Sequence, residues 1–154
     1  MRLFAPVAWI LLLPIGFALS AGCGDSVPEE VFSPLHRPGE DCIECHSESG
    51  SAFKTPFTIA GTVYAQPNAE VSEGLEGITV LITDFKGQKR RIVTNEVGNF
   101  YTDELLNFPV EAAVEGGLPT KVIRAKFGSI ANGRCNLCHN IPPLYGTPGR
   151  VYFN

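Results

Sequence analysis

The strongest constraint on this chain of 154 residues is a short pattern that occurs twice. Cys42-Ile43-Glu44-Cys45-His46 is the first copy, and Cys135-Asn136-Leu137-Cys138-His139 repeats it 93 residues later. In each copy two residues separate the cysteines and a histidine follows at once. This spacing predicts two thiols on one helical turn with an imidazole at its end. The chain has five cysteines, so four belong to the motifs and Cys23 is left over.

Three chemistries suit such a pattern. Haem c is anchored by two thioether bonds, and two intervening residues let both sulfurs reach the two vinyl groups from one turn. The adjacent histidine is then the proximal iron ligand. This reading makes Cys42, Cys45 and His46 one site, and Cys135, Cys138 and His139 another. The second chemistry is a single zinc module with four cysteine ligands, which paired CxxC units can build. It leaves both histidines without a role. The third is a pair of disulfides. A disulfide within one CxxC is usually a redox-enzyme device, and no thioredoxin-like βαβ pattern surrounds either copy. Two haem c groups are therefore the expected cofactors.

The amino terminus agrees. Met1-Arg2 precedes an uncharged, mostly apolar run from Leu3 to Leu19, and small residues follow. Residues 1–22 read as a secretory signal peptide, with a retained transmembrane helix as the rival. Leu19-Ser20-Ala21-Gly22-Cys23 resembles a bacterial lipobox, which implies lipidation of Cys23. Ordinary cleavage after Ser20 or Ala21 is the alternative. Gly24 after Cys23 is similar to Gram-negative lipoproteins bound for the outer membrane. The expected location is the cell envelope, with a membrane contact through the lipid anchor. Haem c attachment also takes place outside the cytoplasm. Cleavage before Cys23 removes Arg2 and no acid, so the mature chain carries a net charge of −5. That balance argues against nucleic acid as a partner.

The rest divides by composition. Residues 23–41 hold Pro28, Pro34 and Pro38 among charges and predict a lipidated tether. Residues 42–56 carry the first motif. Residues 57–127 read as strands: "FTIAGTVYA", "ITVLITDF", "KRRIVTNEVGNFYTD" around a turn at Gly98, "PVEAAVE" and "TKVIRAKF". Residues 128–154 carry the second motif and a Pro/Gly-rich tail. The predicted fold is mainly β: a small antiparallel β-sandwich flanked by two short haem-binding segments. Thr94, Asn95, Gly98 and Phe100, with the "GTVYA" and "LEGITVLITDFKG" strands, resemble the carboxypeptidase regulatory-like (transthyretin-like) sandwich. That resemblance implies a spacer or binding module without chemistry of its own. The two motifs in an exported chain resemble diheme lipoprotein members of the multihaem c-type cytochromes, which implies electron transfer with other cytochromes or redox proteins.

A ligand census sharpens the expectation. The histidines are His36, His46 and His139, and the one methionine is Met1. No mature methionine is available as the distal ligand that raises the potential of many cytochromes c. Two bis-histidine haems need four histidines, so at most one can form. His36, in "SPLHRPGE", is the candidate extra ligand, for its own haem, the second, or one in a neighbouring chain. Tyr145 and Tyr152 lie near the second motif and read as packing. An electron carrier rather than an enzyme is expected. The alternatives are a haem enzyme or small-ligand sensor with an open sixth position, and a structural subunit of a cytochrome assembly, including a homo-oligomer. Lys86, Lys89, Arg90 and Arg91 form a basic cluster that reads as a charged turn and edge strand, with a redox partner or haem propionates as the functional alternative.

Overall fold

In the computed structural model, which describes residues 33–116, 123–130 and 132–153, period-two alternation becomes strands. They are β1 (Ile59–Tyr64), β2 (Thr79–Thr83), β3 (Lys89–Val93), β4 (Asn99–Thr102), β5 (Val110–Gly116), β6 (Ile123–Ile130) and β7 (Val151–Tyr152). The helical elements among the described residues are two four-residue turns, α1 (Cys42–Cys45) and α2 (Cys135–Cys138), and a 3-10 turn at Val71–Glu73. The fold is mainly β, in two small sheets ordered β3-β2-β5-β6 and β4-β1-β7. The signal segment and Cys23 lie outside the described residues, and no helix among those residues is long and apolar enough to cross a membrane.

In the larger sheet β2 and β5 pair antiparallel, with Val80 opposite Val114 and Ile82 opposite Ala112. These four residues are buried and alternate with half-buried or exposed positions along each strand, Glu115 excepted. The smaller sheet supplies Ile59, Val63, Phe100 and Val151 to the same core. β3 closes one edge with Lys89 and Arg91 exposed, which discourages pairing with another chain. Arg90 pairs with Glu104 and Arg91 with Glu115, so two of the four clustered cations are neutralised within the chain.

β3 and β4 do form on either side of Gly98, but they do not pair with each other. β3 pairs with β2 and β4 with β1, so the connection carries the chain from one sheet to the other. Its residues build that corner. Thr94 is buried; its hydroxyl accepts from the Ile78 amide at 2.9 Å and donates to the Leu75 carbonyl. The Asn95 side chain accepts from the amides of Val97 and Asn99. Gly98 has φ +81, and a Cβ there would stand 2.5 Å from the Val63 carbonyl oxygen. Only glycine meets both demands.

β1 positions the site. Alternation predicts one buried face, yet all six of its residues are buried. Ile59 and Val63 face the core, while Thr62 and Tyr64 point the other way and are covered by the segments carrying the motifs. One edge of β1 pairs with β4. Along the other, the Ala60 amide donates to the Gly133 carbonyl and the Thr62 amide to Asn136 Oδ1. β7 then pairs parallel to Val63 and Tyr64. The tail thus contributes a strand that its composition did not announce. A strand edge that would otherwise be open is filled by the second motif and the chain that follows it.

Candidate functional site

The two motifs fold alike. In each, the histidine amide donates to the carbonyl of the first cysteine at 2.9 Å, closing one helical turn. His46 has φ −90 and ψ 52; His139 has φ −87 and ψ 67. Each imidazole is oriented through Nδ1 toward a backbone carbonyl: His46 to Thr55 at 2.7 Å and His139 to Gly149 at 2.9 Å. With Nδ1 as the donor, the basic nitrogen is Nε2 in both rings, the tautomer a metal ligand needs.

The sandwich brings the two turns together. Asp41 and Arg134 occupy the same position in the two copies, directly before the first cysteine. They form an ion pair in which Arg134 donates from Nε, at 2.7 Å, and from Nη2 to Asp41 Oδ2. Asp41 holds the Arg134 guanidinium above its ordinary range. Asn136, inside the second motif and 2 % exposed, is the hub. Its Oδ1 accepts from the Thr62 amide at 3.1 Å, and its Nδ2 donates to the Glu40 carbonyl at 2.9 Å and to Thr62 Oγ1 at 3.0 Å. Thr62 Oγ1 also accepts from the Gly39 amide and donates to Asn99 Oδ1. One threonine on β1 therefore ties down the approach to both motifs.

Residues 33–40 lie against the corner between β3 and β4. Asn95 Nδ2 donates to the Pro34 carbonyl at 2.8 Å and Asn99 Nδ2 to the His36 carbonyl at 3.1 Å. The result sets the His36 ring 5.8 Å from the His46 ring, centroid to centroid. On another side His46 stacks on Phe57 at 4.1 Å, and Phe57 on Tyr101 at 4.4 Å. Tyr101 is exposed, so an aromatic stack runs from the His46 ring to the surface.

The thiols are not equivalent. Cys135 is buried in the core against Gly61 and Phe100. Burial, with the nearby Cys42 thiol, pushes Cys135 up to about 12. Burial likewise pushes Cys42 up to about 11. No disulfide joins any of the four motif cysteines. Among the described residues no group of three or more His, Cys, Asp or Glu is arranged to hold a metal ion. The four-cysteine zinc alternative therefore draws no support from the arrangement of the thiols.

A second set of polar groups lies under the first motif. Arg150, 6 % exposed, stacks its guanidinium 4.3 Å above the Tyr64 ring and donates from Nε to the Ala69 carbonyl. Its Nη1 and the Tyr64 hydroxyl are buried without a hydrogen-bond partner, both close to Gly39. Burial pushes the Tyr64 hydroxyl up, with the Arg150 cation pulling the other way. A buried cation and hydroxyl of this kind suit a carboxylate.

Sequence reading had singled out the cysteines and histidines. It missed Asn136, Thr62, the Asp41–Arg134 pair and Arg150. One signal was available: opposite charges stand directly before the two motifs. No protein-family model, curated protein sequence or solved structure matches this chain.

Proposed function

We propose that this chain is an exported diheme c-type cytochrome that carries electrons at the cell envelope, anchored by a lipid on Cys23. One observation carries the reading: two CxxCH turns of the same backbone form, each with its imidazole held through Nδ1 by a backbone carbonyl, clamped side by side on β1. Neither a disulfide nor a zinc site calls for both histidines to be held in this way.

The residues present fit haem c. Cys42 with Cys45, and Cys135 with Cys138, would hold the two groups through thioether bonds, and His46 and His139 would ligate their irons. The unpartnered Arg150 Nη1 and Tyr64 hydroxyl suit a propionate carboxylate. Bound haem supplies a one-electron ferric/ferrous couple. The chain's part is to fix the ligands so that they do not reorganise between the two states. The Thr55 and Gly149 carbonyls do this by setting ring orientation and tautomer. The Asp41–Arg134 pair and Asn136 hold the two turns in fixed relation, which electron exchange between neighbouring sites requires. The stack from His46 through Phe57 to exposed Tyr101 supports a route between the first site and a redox partner.

We read the β-sandwich as carboxypeptidase regulatory-like on its corner residues Thr94, Asn95, Gly98 and Phe100. Its role in this reading is to bring two distant motifs together. The test is a pyridine haemochrome assay with a potentiometric titration of the exported protein. Two haems c per chain, reduced and reoxidised reversibly at the low potentials expected without a methionine ligand, support the reading. Absence of haem, or loss of the groups to acid acetone, sinks it.

A further inference from the structure

We infer that the two haem sites are unequal: His36 is the sixth ligand of the iron held by His46, and the iron held by His139 keeps a position open to small exogenous ligands. The assignment rests on the haem reading above and decides what that reading leaves open.

Three observations carry it. The His36 and His46 ring centroids are 5.8 Å apart. A metal–imidazole bond is about 2 Å, so two rings at this separation would lie within reach of one metal ion. His36 is held in the required tautomer, because its Nδ1 faces the Ser33 carbonyl and Nε2 is left as the basic nitrogen. Its backbone is preorganised. Asn99 grips the His36 carbonyl, Asn95 grips that of Pro34, and Arg37 turns the chain at φ 48 just before Pro38. A histidine in a solvated linker has no need of these restraints.

The count then excludes histidine and methionine at the other site, and we take that position to be open rather than held by a lysine, tyrosine, asparagine or amine. These 154 residues contain no histidine besides His36, His46 and His139, and no methionine besides Met1. With His36 used within its own chain, these residues hold no spare histidine for the other iron, in one copy or in two. The ligand class expected there is the small π-acceptors and anions that bind pentacoordinate or water-ligated haem: carbon monoxide and nitric oxide when ferrous, cyanide when ferric. The first site stays closed to them while His36 is bound.

The experiment is a carbon monoxide titration of the reduced, haem-loaded protein, read by optical difference spectra, with electron paramagnetic resonance of the ferric form. The wild type is expected to bind one carbon monoxide per two haems. Its ferric spectrum should show one bis-histidine low-spin signal beside a second signal of different ligation. His36→Ala should bind two and lose the bis-histidine signal. His36→Met should restore a six-coordinate first site at a raised potential, which a purely structural role for His36 would not do. Two haems per chain with no carbon monoxide bound in the wild type, two bound, or spectra unmoved by His36→Ala overturn the assignment alone. Fewer than two haems per chain in the pyridine haemochrome assay overturns the haem reading beneath it.

Discussion

Replacing Asn136 by alanine should separate the two motifs from β1 while leaving Cys135, Cys138 and His139 in place. The amide side chain is 2 % exposed and makes three hydrogen bonds. Truncation leaves the buried Thr62 N–H unpaired and takes from the Glu40 carbonyl its amide donor. Each such loss costs about 1–3 kcal/mol, so the total should be about 3 kcal/mol. For a domain of this size that corresponds to roughly 10 °C in Tm. Urea unfolding followed by far-UV circular dichroism measures it. Asn136→Asp provides a sharper arm. At neutral pH its carboxylate can still accept from Thr62 but faces the Glu40 carbonyl, so it should be about as destabilising as alanine. Protonation restores a donor toward Glu40. The folded state therefore holds that proton more tightly than the unfolded one, and part of the lost stability should return as pH falls from 7 toward 4. A loss below about 0.5 kcal/mol for Asn136→Ala, within the range of surface substitutions, would refute the hub. So would an Asn136→Asp protein that follows the same pH course as the alanine variant.

Gly61→Ala would set a methyl 2.8 Å from Cys135 Cβ and 2.8 Å from Phe100 Cζ, and overpacking there should cost about 1–3 kcal/mol in urea unfolding. Haem-free protein should lose stability as pH rises from about 9 toward 12. The unfolded thiols ionise first, while burial keeps Cys42 and Cys135 protonated to about 11 and about 12; the loaded protein, with thioethers in their place, should lack this slope in its urea midpoints. The buried Asp84 carboxylate accepts from Asn107 Nδ2 and from the amides of Lys86, Gln88 and Asn107, and the Asn107 side chain foremost holds it below the usual range. Its contribution is present above the unfolded carboxylate range and lost as pH falls through the folded value. The gap in urea midpoint between wild type and Asp84→Asn should therefore hold down to about pH 5 and close only below about pH 4.

What the sequence made legible follows from what local pattern can encode. Alternation in "ITVLITDF" and "PVEAAVE" placed β2 and β5 and their buried faces, because period two reports which side of a strand meets the core. Thr94, Asn95, Gly98 and Phe100 marked a turn correctly, since Gly98 must adopt a left-handed conformation. Pattern did not report that the flanking strands join different sheets, because pairing partners are set by contacts distant in sequence. The same limit hid the packing of β1. Its outward face looked solvated because nothing local says that Gly39, Glu40 and Asn136 will cover Thr62. β7 was hidden for a further reason: a two-residue strand has no period to read. At the site, residue identity announced the chemistry of the cysteines and histidines. Their mutual arrangement came from polar contacts spanning more than seventy residues, such as Asn136 with Thr62. The pairing of Asp41 with Arg134 was written as opposite charges in matching positions of two copies, and a comparison of the copies would have exposed it.

The central claim is that each CxxCH turn carries a covalent haem. Peptide mass spectrometry of the protein isolated from the cell envelope tests it most directly. The account predicts one haem mass on the peptide spanning Cys42 to His46 and one on the peptide spanning Cys135 to His139, with no free thiol on either. Alkylatable or disulfide-linked cysteines in both peptides, without haem, would contradict it.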